Sequence, residues 1–242
     1  MPWIGVLVLA LSAAACAPTQ ATTTTAAPAA ASPVATTEPA EAPTEAAEAT
    51  VPAADVTAAA ASGLTTEEVA DLLHMREEEK LARDVYLTLY DKWGTQVFQN
   101  IASAEQTHMD AVKTLLTAYG IEDPVAQTQD QRGVFTDPKL QALYDQLVSK
   151  GSASLVDALT VGATIEDLDI KDLNDALART DKADIREVYE NLKMGSESHM
   201  RAFVSNLRAQ GADYTPQYIT EEEFQQILQG SSGRGQGQGN GG

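Results

Sequence analysis

The chain has 242 residues in which 35 acids oppose 16 bases, a formal net charge of −19 at pH 7, so repulsion from a phosphate backbone disfavours nucleic acid as a partner. Its single cysteine excludes an internal disulfide. No phosphate loop, G-x-S-x-G elbow or dinucleotide fingerprint occurs, so hydrolytic and nucleotide-dependent functions have no support.

The first fifteen residues, "MPWIGVLVLALSAAA", are apolar from Trp3 to Ala15, too short a run to span a bilayer as a helix and suited to the core of a secretory signal. "LSAAAC" resembles a bacterial lipobox, which would make Cys16 the acylated N-terminus of an exported protein anchored on the extracytoplasmic face of a membrane. It departs from that pattern in Ala13, where Leu is usual, and in having no Lys or Arg before Arg76; ordinary A-x-A cleavage without a lipid is the alternative. Residues 17–62 are nearly all Ala, Thr, Pro, Glu and Val, too poor in apolar bulk to fold, and are expected to form a tether reaching roughly 35–40 Å as a flexible coil.

Residues 63–230 read as one helical domain with enough apolar residues for one core. A first helix is opened by a capping box, Thr65 with Glu68, and a hydrophobic staple, Leu64 with Val69; it runs to about Lys92 and stops near Gly94. A second covers about 96–119 and ends at Gly120. The connection 120–162 is long and contains a shorter helix opened by Asp137 and Pro138 and closed at Gly151. A third helix is expected over about 163–179 and a fourth over about 182–210, closing at Gly211. Thr220 with Glu223 caps a last helix that ends at Gly230, before a Gly-rich tail over 231–242. Two helical hairpins joined by one long crossover are the connectivity of an all-α, ferritin-like four-helix bundle.

Polar residues interrupt the apolar stripe of each long helix. On the first the stripe is Leu72, Met75, Glu79, Ala82, Tyr86 and Leu89, and Glu77 and Glu78 beside it are free to face water. "ASAEQTHMDAV" in the second places Glu105 and His108 between Ile101 and Val112. The third offers Glu166 and Asp169 ahead of Leu173 and Leu177, and the fourth offers Ser196 and His199 between Leu192 and Phe203. An isolated buried carboxylate costs several kcal/mol, and a cluster either holds protons or requires a cation. Carboxylates and imidazoles without a thiolate suit iron or manganese, with zinc open, in one or two ions. Di-metal bundles take one Glu from each of two helices and a Glu-x-x-His pair from each of the others. Glu79 and Glu166 match the single acids and Glu105 with His108 one pair; His199 lacks its partner because Ser196 stands there, and Asp169 is the substitute on offer. His74 reads as a surface residue, Tyr86 and Tyr189 as core, and Glu197 points away from His199.

"EEEKLARDVYLTLYDKWG", "IASAEQTHM", "IEDLDIKDL" and "VYENLKMGSESHMRAF" resemble the ferritin-like superfamily and, more closely, a prokaryotic ferritin-like family known only as a domain of unknown function (DUF2202-type). That resemblance implies a bundle of di-iron heritage and selects Glu79 over Glu78 as ligand; it implies no activity. Two functions follow: a di-iron-type oxidoreductase reducing oxygen or peroxide, or a metal-sequestering or purely structural lipoprotein. A lipid tether suits a monomer or small oligomer better than a storage shell.

Overall fold

In the computed structural model, residues 53–230 are described; Cys16, the signal, most of the tether and the Gly-rich tail lie outside the described residues. Among these residues the chain forms helices and no strand: α1 (Ala53–Ser62), α2 (Thr66–Trp93), α3 (Gln96–Tyr119), α4 (Pro124–Gln127), α5 (Pro138–Gly151), α6 (Leu155–Arg179), α7 (Ala183–Ala209) and α8 (Glu221–Gln229). The capping box at Thr65 is formed in both directions, and Leu64 and Val69 share one buried cluster as the staple requires.

Three boundaries differ from the sequence expectation. Residues 53–62, assigned to the tether, form α1, whose Ala59 is buried with Leu64 and Leu72; an Ala-rich segment needs only one packing partner to become helical. The third long helix starts at Leu155, eight residues before the expected Ala163, because Ser154 caps it by accepting from the amide of Asp157. Its Gly162 lies inside the helix where a side chain would not fit. A short helix, α4, also opens on Asp123 and Pro124.

Helices α2, α3, α6 and α7 surround one core, and that core divides in two. Leu72, Met75, Val112, Leu116, Leu173 and Leu192 belong to one apolar cluster. Leu81, Val85, Ile101, Ile165, Ile170, Met200 and Phe203 belong to the other. The order in which each helix visits the two clusters gives its direction: α2 and α7 run one way, α3 and α6 the other. Each long helix packs on two others of opposite direction, α2 on α3 and α6, and α7 on α3 and α6. Because α3 and α6 are parallel, residues 120–154 must carry the chain back along the full length of the helices.

This return segment packs on the outside of α2, and it accounts for an unbroken run of buried residues from Met75 to Tyr86. Glu77 accepts from the Thr136 amide and hydroxyl and from the Asp137 amide. Arg76 forms a two-pronged pair with Asp123 at 3.0 Å on each prong, and Lys80 donates to the carbonyl of Gln131 and to Asp84. Arg83 bridges Asp84 and Asp130. The expectation that Glu77 and Glu78 face water is therefore wrong: an amphipathic reading of α2 ignores a second layer that covers its polar face.

A Cβ built on Gly162 would lie 2.4 Å from the Phe203 ring, which packs against Tyr86 with ring centroids 5.1 Å apart and Phe98 at 5.6 Å. Alanine at a helix interior is favoured over glycine by about 1 kcal/mol, but overpacking a rigid aromatic cluster costs about 1–3 kcal/mol. Gly162→Ala is expected to destabilise the protein, read as a lower urea midpoint at unchanged slope.

Candidate metal centre

The layer between the two apolar clusters is where the four long helices each contribute a polar side chain. Glu79 comes from α2, Glu105 and His108 from α3, Glu166 and Asp169 from α6, and Ser196 and His199 from α7. Glu79, Glu105 and Glu166 are each only 2 % exposed. Two triads form, Glu79–Glu105–His108 and Glu105–Glu166–His199, and within each the potential ligand atoms lie within 4.8 Å of one another. Glu105 belongs to both. Its Oε2 is 2.8 Å from Nδ1 of His108 and its Oε1 is 2.9 Å from Nδ1 of His199, so one carboxylate faces two imidazoles with opposite oxygens. His108 Nδ1 is 3.3 Å from Glu79, His199 Nδ1 is 3.5 Å from Glu166, and the two rings stack with centroids 5.5 Å apart.

Several of these atoms have no hydrogen bond: Glu79 Oε1, Glu105 Oε1, Asp169 Oδ1 and His199 Nδ1 are buried and unsatisfied. The short approach of His199 to Glu105 is thus a charge contact without a hydrogen bond, and the two atoms face common space. Oxygen and imidazole donors arranged so fit divalent iron, manganese or zinc.

Of the residues singled out from the sequence, five come together in the triads. Asp169 does not: it is buried but joins neither triad, because the Ser196 hydroxyl donates to one of its oxygens. Glu197 also stays out of the triads.

Two contributors escaped the sequence reading. Tyr86, read as core, donates its hydroxyl to Glu166 Oε1 and fixes that carboxylate. A Cβ on Gly195 would lie 2.5 Å from Cε1 and 2.6 Å from Nε2 of His108, so α7 is bare at that point to admit the ring. A glycine inside a helix, one residue from Ser196, was the available signal for the second; nothing in spacing distinguishes Tyr86 from a packed tyrosine.

Residues 68–231 match the family described as an uncharacterized protein domain, DUF2202. The chain belongs to that family. It is also similar to the uncharacterized protein MJ0754 of Methanocaldococcus jannaschii, 59 % identical over 172 residues that make up 71 % of this chain and 92 % of that protein. The crystal structure of that hypothetical protein, given as Methanococcus jannaschii DSM 2661, superimposes with a TM-score of 0.67 over 69 % of this chain and 94 % of the other.

In this DUF2202 protein the electrostatics of the layer are those of acids and bases that lack water. Burial pushes Glu79 up to about 8, with the His108 contact opposing it, and burial likewise raises Glu166 and Asp169. Glu105 is the exception: burial would raise it, but His199 and His108 outweigh burial and hold it down at about 2. Burial lowers both imidazoles, yet the carboxylates win, taking His108 to about 11 and His199 to about 10.

These shifts make the metal-free protein favour acid. Between its ordinary 4.5 and its folded value of about 8, Glu79 keeps in the folded state a proton that the unfolded chain has lost, so stability falls as pH rises through that window. The imidazolium pairs contribute fully below 6.5 and are lost as pH rises towards 10 and 11. Glu105 acts oppositely, losing its contribution only as pH falls from 4.5 towards 2. Chelator-treated protein is expected to melt several degrees higher at pH 5 than at pH 8, with about 2–4 °C for each kcal/mol in a chain of this size. Circular dichroism melts at the two pH values check it.

Proposed function

We propose that this protein is ferritin-like and binds two iron or manganese ions in the layer between its apolar clusters, Glu79 and His108 holding one, Glu166 and His199 the other, and Glu105 bridging. The observation that carries the reading is Glu105, whose two oxygens face two different imidazoles 2.8 and 2.9 Å away while each triad adds a carboxylate from another helix. Antiparallel hairpins, a parallel α3–α6 pair and the long return segment support the ferritin-like assignment. When bound, such a pair of ions supplies electrons to dioxygen or peroxide and shares the charge that develops on oxygen.

The chain's own residues set the conditions for that chemistry. Tyr86 orients Glu166, and Gly195 lets His108 sit against α7. The apolar clusters on either side keep water from the three glutamates, while His108 and His199 stay slightly exposed. Asp169, raised well above its ordinary value by burial and by Glu79, can hold a proton beside the centre while Ser196 fixes its other oxygen.

A second reading, metal sequestration without catalysis, is favoured by Ser196. This residue hydrogen-bonds Asp169 where the paired design would place a fourth glutamate ligand. Metal binding is common to both readings and is tested first. Glu105→Gln keeps the shape but removes the bridging charge, so occupancy by iron or manganese, measured by plasma mass spectrometry after dialysis, is expected to fall at least about tenfold. Gly195→Ala is expected to lower occupancy too, by pushing the His108 ring aside. Full occupancy in Glu105→Gln would remove the bridging role.

We further propose that the protein is exported and held at a membrane through an acylated Cys16, supported by the signal-like apolar run and "LSAAAC". Cys16→Ser is expected to move it from the membrane fraction to the soluble fraction on cell fractionation.

A further inference from the structure

A second group of metal-ligating side chains lies apart from the centre, between α2 and α6, and the centre does not use it. His74, Glu78 and Asp172 bring one potential ligand atom each to within 4.8 Å of the others. His74 Nε2 is 3.4 Å from Glu78 Oε2 and 3.5 Å from Asp172 Oδ2. Lys171 occupies the other oxygen of Asp172 at 3.0 Å, which leaves Oδ2 for the imidazole side.

Glu78 is the decisive member. Its side chain is 3 % exposed, yet neither carboxylate oxygen has a hydrogen-bond partner. The adjacent Glu77, equally buried, accepts three hydrogen bonds from the return segment. Two neighbouring buried acids are therefore treated differently: one is satisfied by protein, the other is aimed at an imidazole that does not donate to it. His74 Nε2 lies at ion-pair distance from both acids, yet neither oxygen of Glu78 gains a hydrogen bond from it. A carboxylate oxygen, an imidazole nitrogen and a second carboxylate oxygen thus face common space, an arrangement that suits a cation.

The setting matches the donor set. His74 is 39 % exposed and Asp172 23 %, so an ion reaches the group from solvent, while Glu78 anchors it at depth. His74 and Glu78 are one helical turn apart on α2, and Asp172 follows Asp169 by one turn on α6. A neutral imidazole and two carboxylates balance a doubly charged ion without help, and one nitrogen with two oxygens selects iron, manganese, cobalt or zinc over calcium or magnesium.

We propose that His74, Glu78 and Asp172 form a separate, solvent-accessible site for one divalent transition-metal cation, which ties α2 to α6. The site does not depend on the buried centre. Cobalt(II) is the probe. The full chain, titrated with Co2+ and dialysed, is expected to bind one ion more than either His74→Gln or Glu78→Gln. Crystals soaked in Co2+ should show anomalous density bounded by the three side chains. Glu105→Gln should keep this ion, and its cobalt-dependent rise in Tm should vanish when His74→Gln is added. His74 is exposed enough for its substitution to leave folding intact, and Glu78→Gln is isosteric, so the pair guards against loss of fold. Unchanged stoichiometry in both variants, or no anomalous density among the three residues, overturns the proposal. Failure of the buried centre would appear separately, as Glu105→Gln losing no ion while His74→Gln still loses one.

Discussion

Three glutamates, an aspartate and two histidines are held between two layers of aliphatic and aromatic side chains, where the carboxylates are cut off from water and the imidazoles nearly so. Each acid alone would cost several kcal/mol to bury charged, and the cost falls only by protonation, by imidazolium pairing or by a cation. Much of the rest of the fold can be read as support for that layer. Four helices must each present a polar residue at the same height, which fixes their register. The apolar clusters must be continuous above and below, which fixes where Leu72 and Val112 meet and where Phe98, Phe203 and Tyr86 meet. Gly162 and Gly195 mark the two points where the layer and its flanks are packed so closely that no side chain fits on the facing helix.

The long helices and the polar interruptions were legible because both are periodic. Glu79, Glu105, His108, Glu166 and His199 stand on apolar stripes, and a stripe determines a face. The same logic failed on the opposite face of α2. Glu77, Glu78, Lys80 and Asp84 look like a solvated side, and periodicity has no means of seeing that residues 120–154 return across them. In retrospect the signal lay in composition: "HMREEEKLARD" alternates acids and bases too densely for a helix exposed on that side, and the bases find acids or carbonyls from the return segment. Ser154, a good N-cap type just ahead of an apolar run, is the signal for the early start of α6 that reading 120–162 as a connection passed over.

The return segment couples stability to the site. Arg76, Glu77, Lys80 and Arg83 all sit within one turn of Glu79, and all are held by residues between 123 and 137 or by Asp84. Glu79 is therefore on a stretch of helix clamped from outside while its carboxylate faces inside. The run of three glutamates is accommodated because its members diverge: Glu77 accepts from two amides and a hydroxyl of the return segment, Glu78 faces His74, and Glu79 faces His108.

On the proposed reading, the substitution of serine at 196 separates two jobs that a fourth glutamate would perform together. Three glutamates opposite two divalent ions leave the centre with an excess of one positive charge, whereas a fourth carboxylate would balance it. Asp169 supplies that carboxylate from α6 instead of α7, close enough to feel Glu79, Glu166 and Glu105 but held back from both triads by Ser196. It can thus compensate charge without ligating, by ionising when ions are present and holding a proton when they are absent, the state to which burial drives it. On the α7 side, His199 Nδ1 faces Glu105 and Glu166 without a hydrogen bond. The donor set is thus asymmetric: α7 contributes an imidazole and no carboxylate, and the side it would have supplied lies next to Asp169, a residue able to give up a proton.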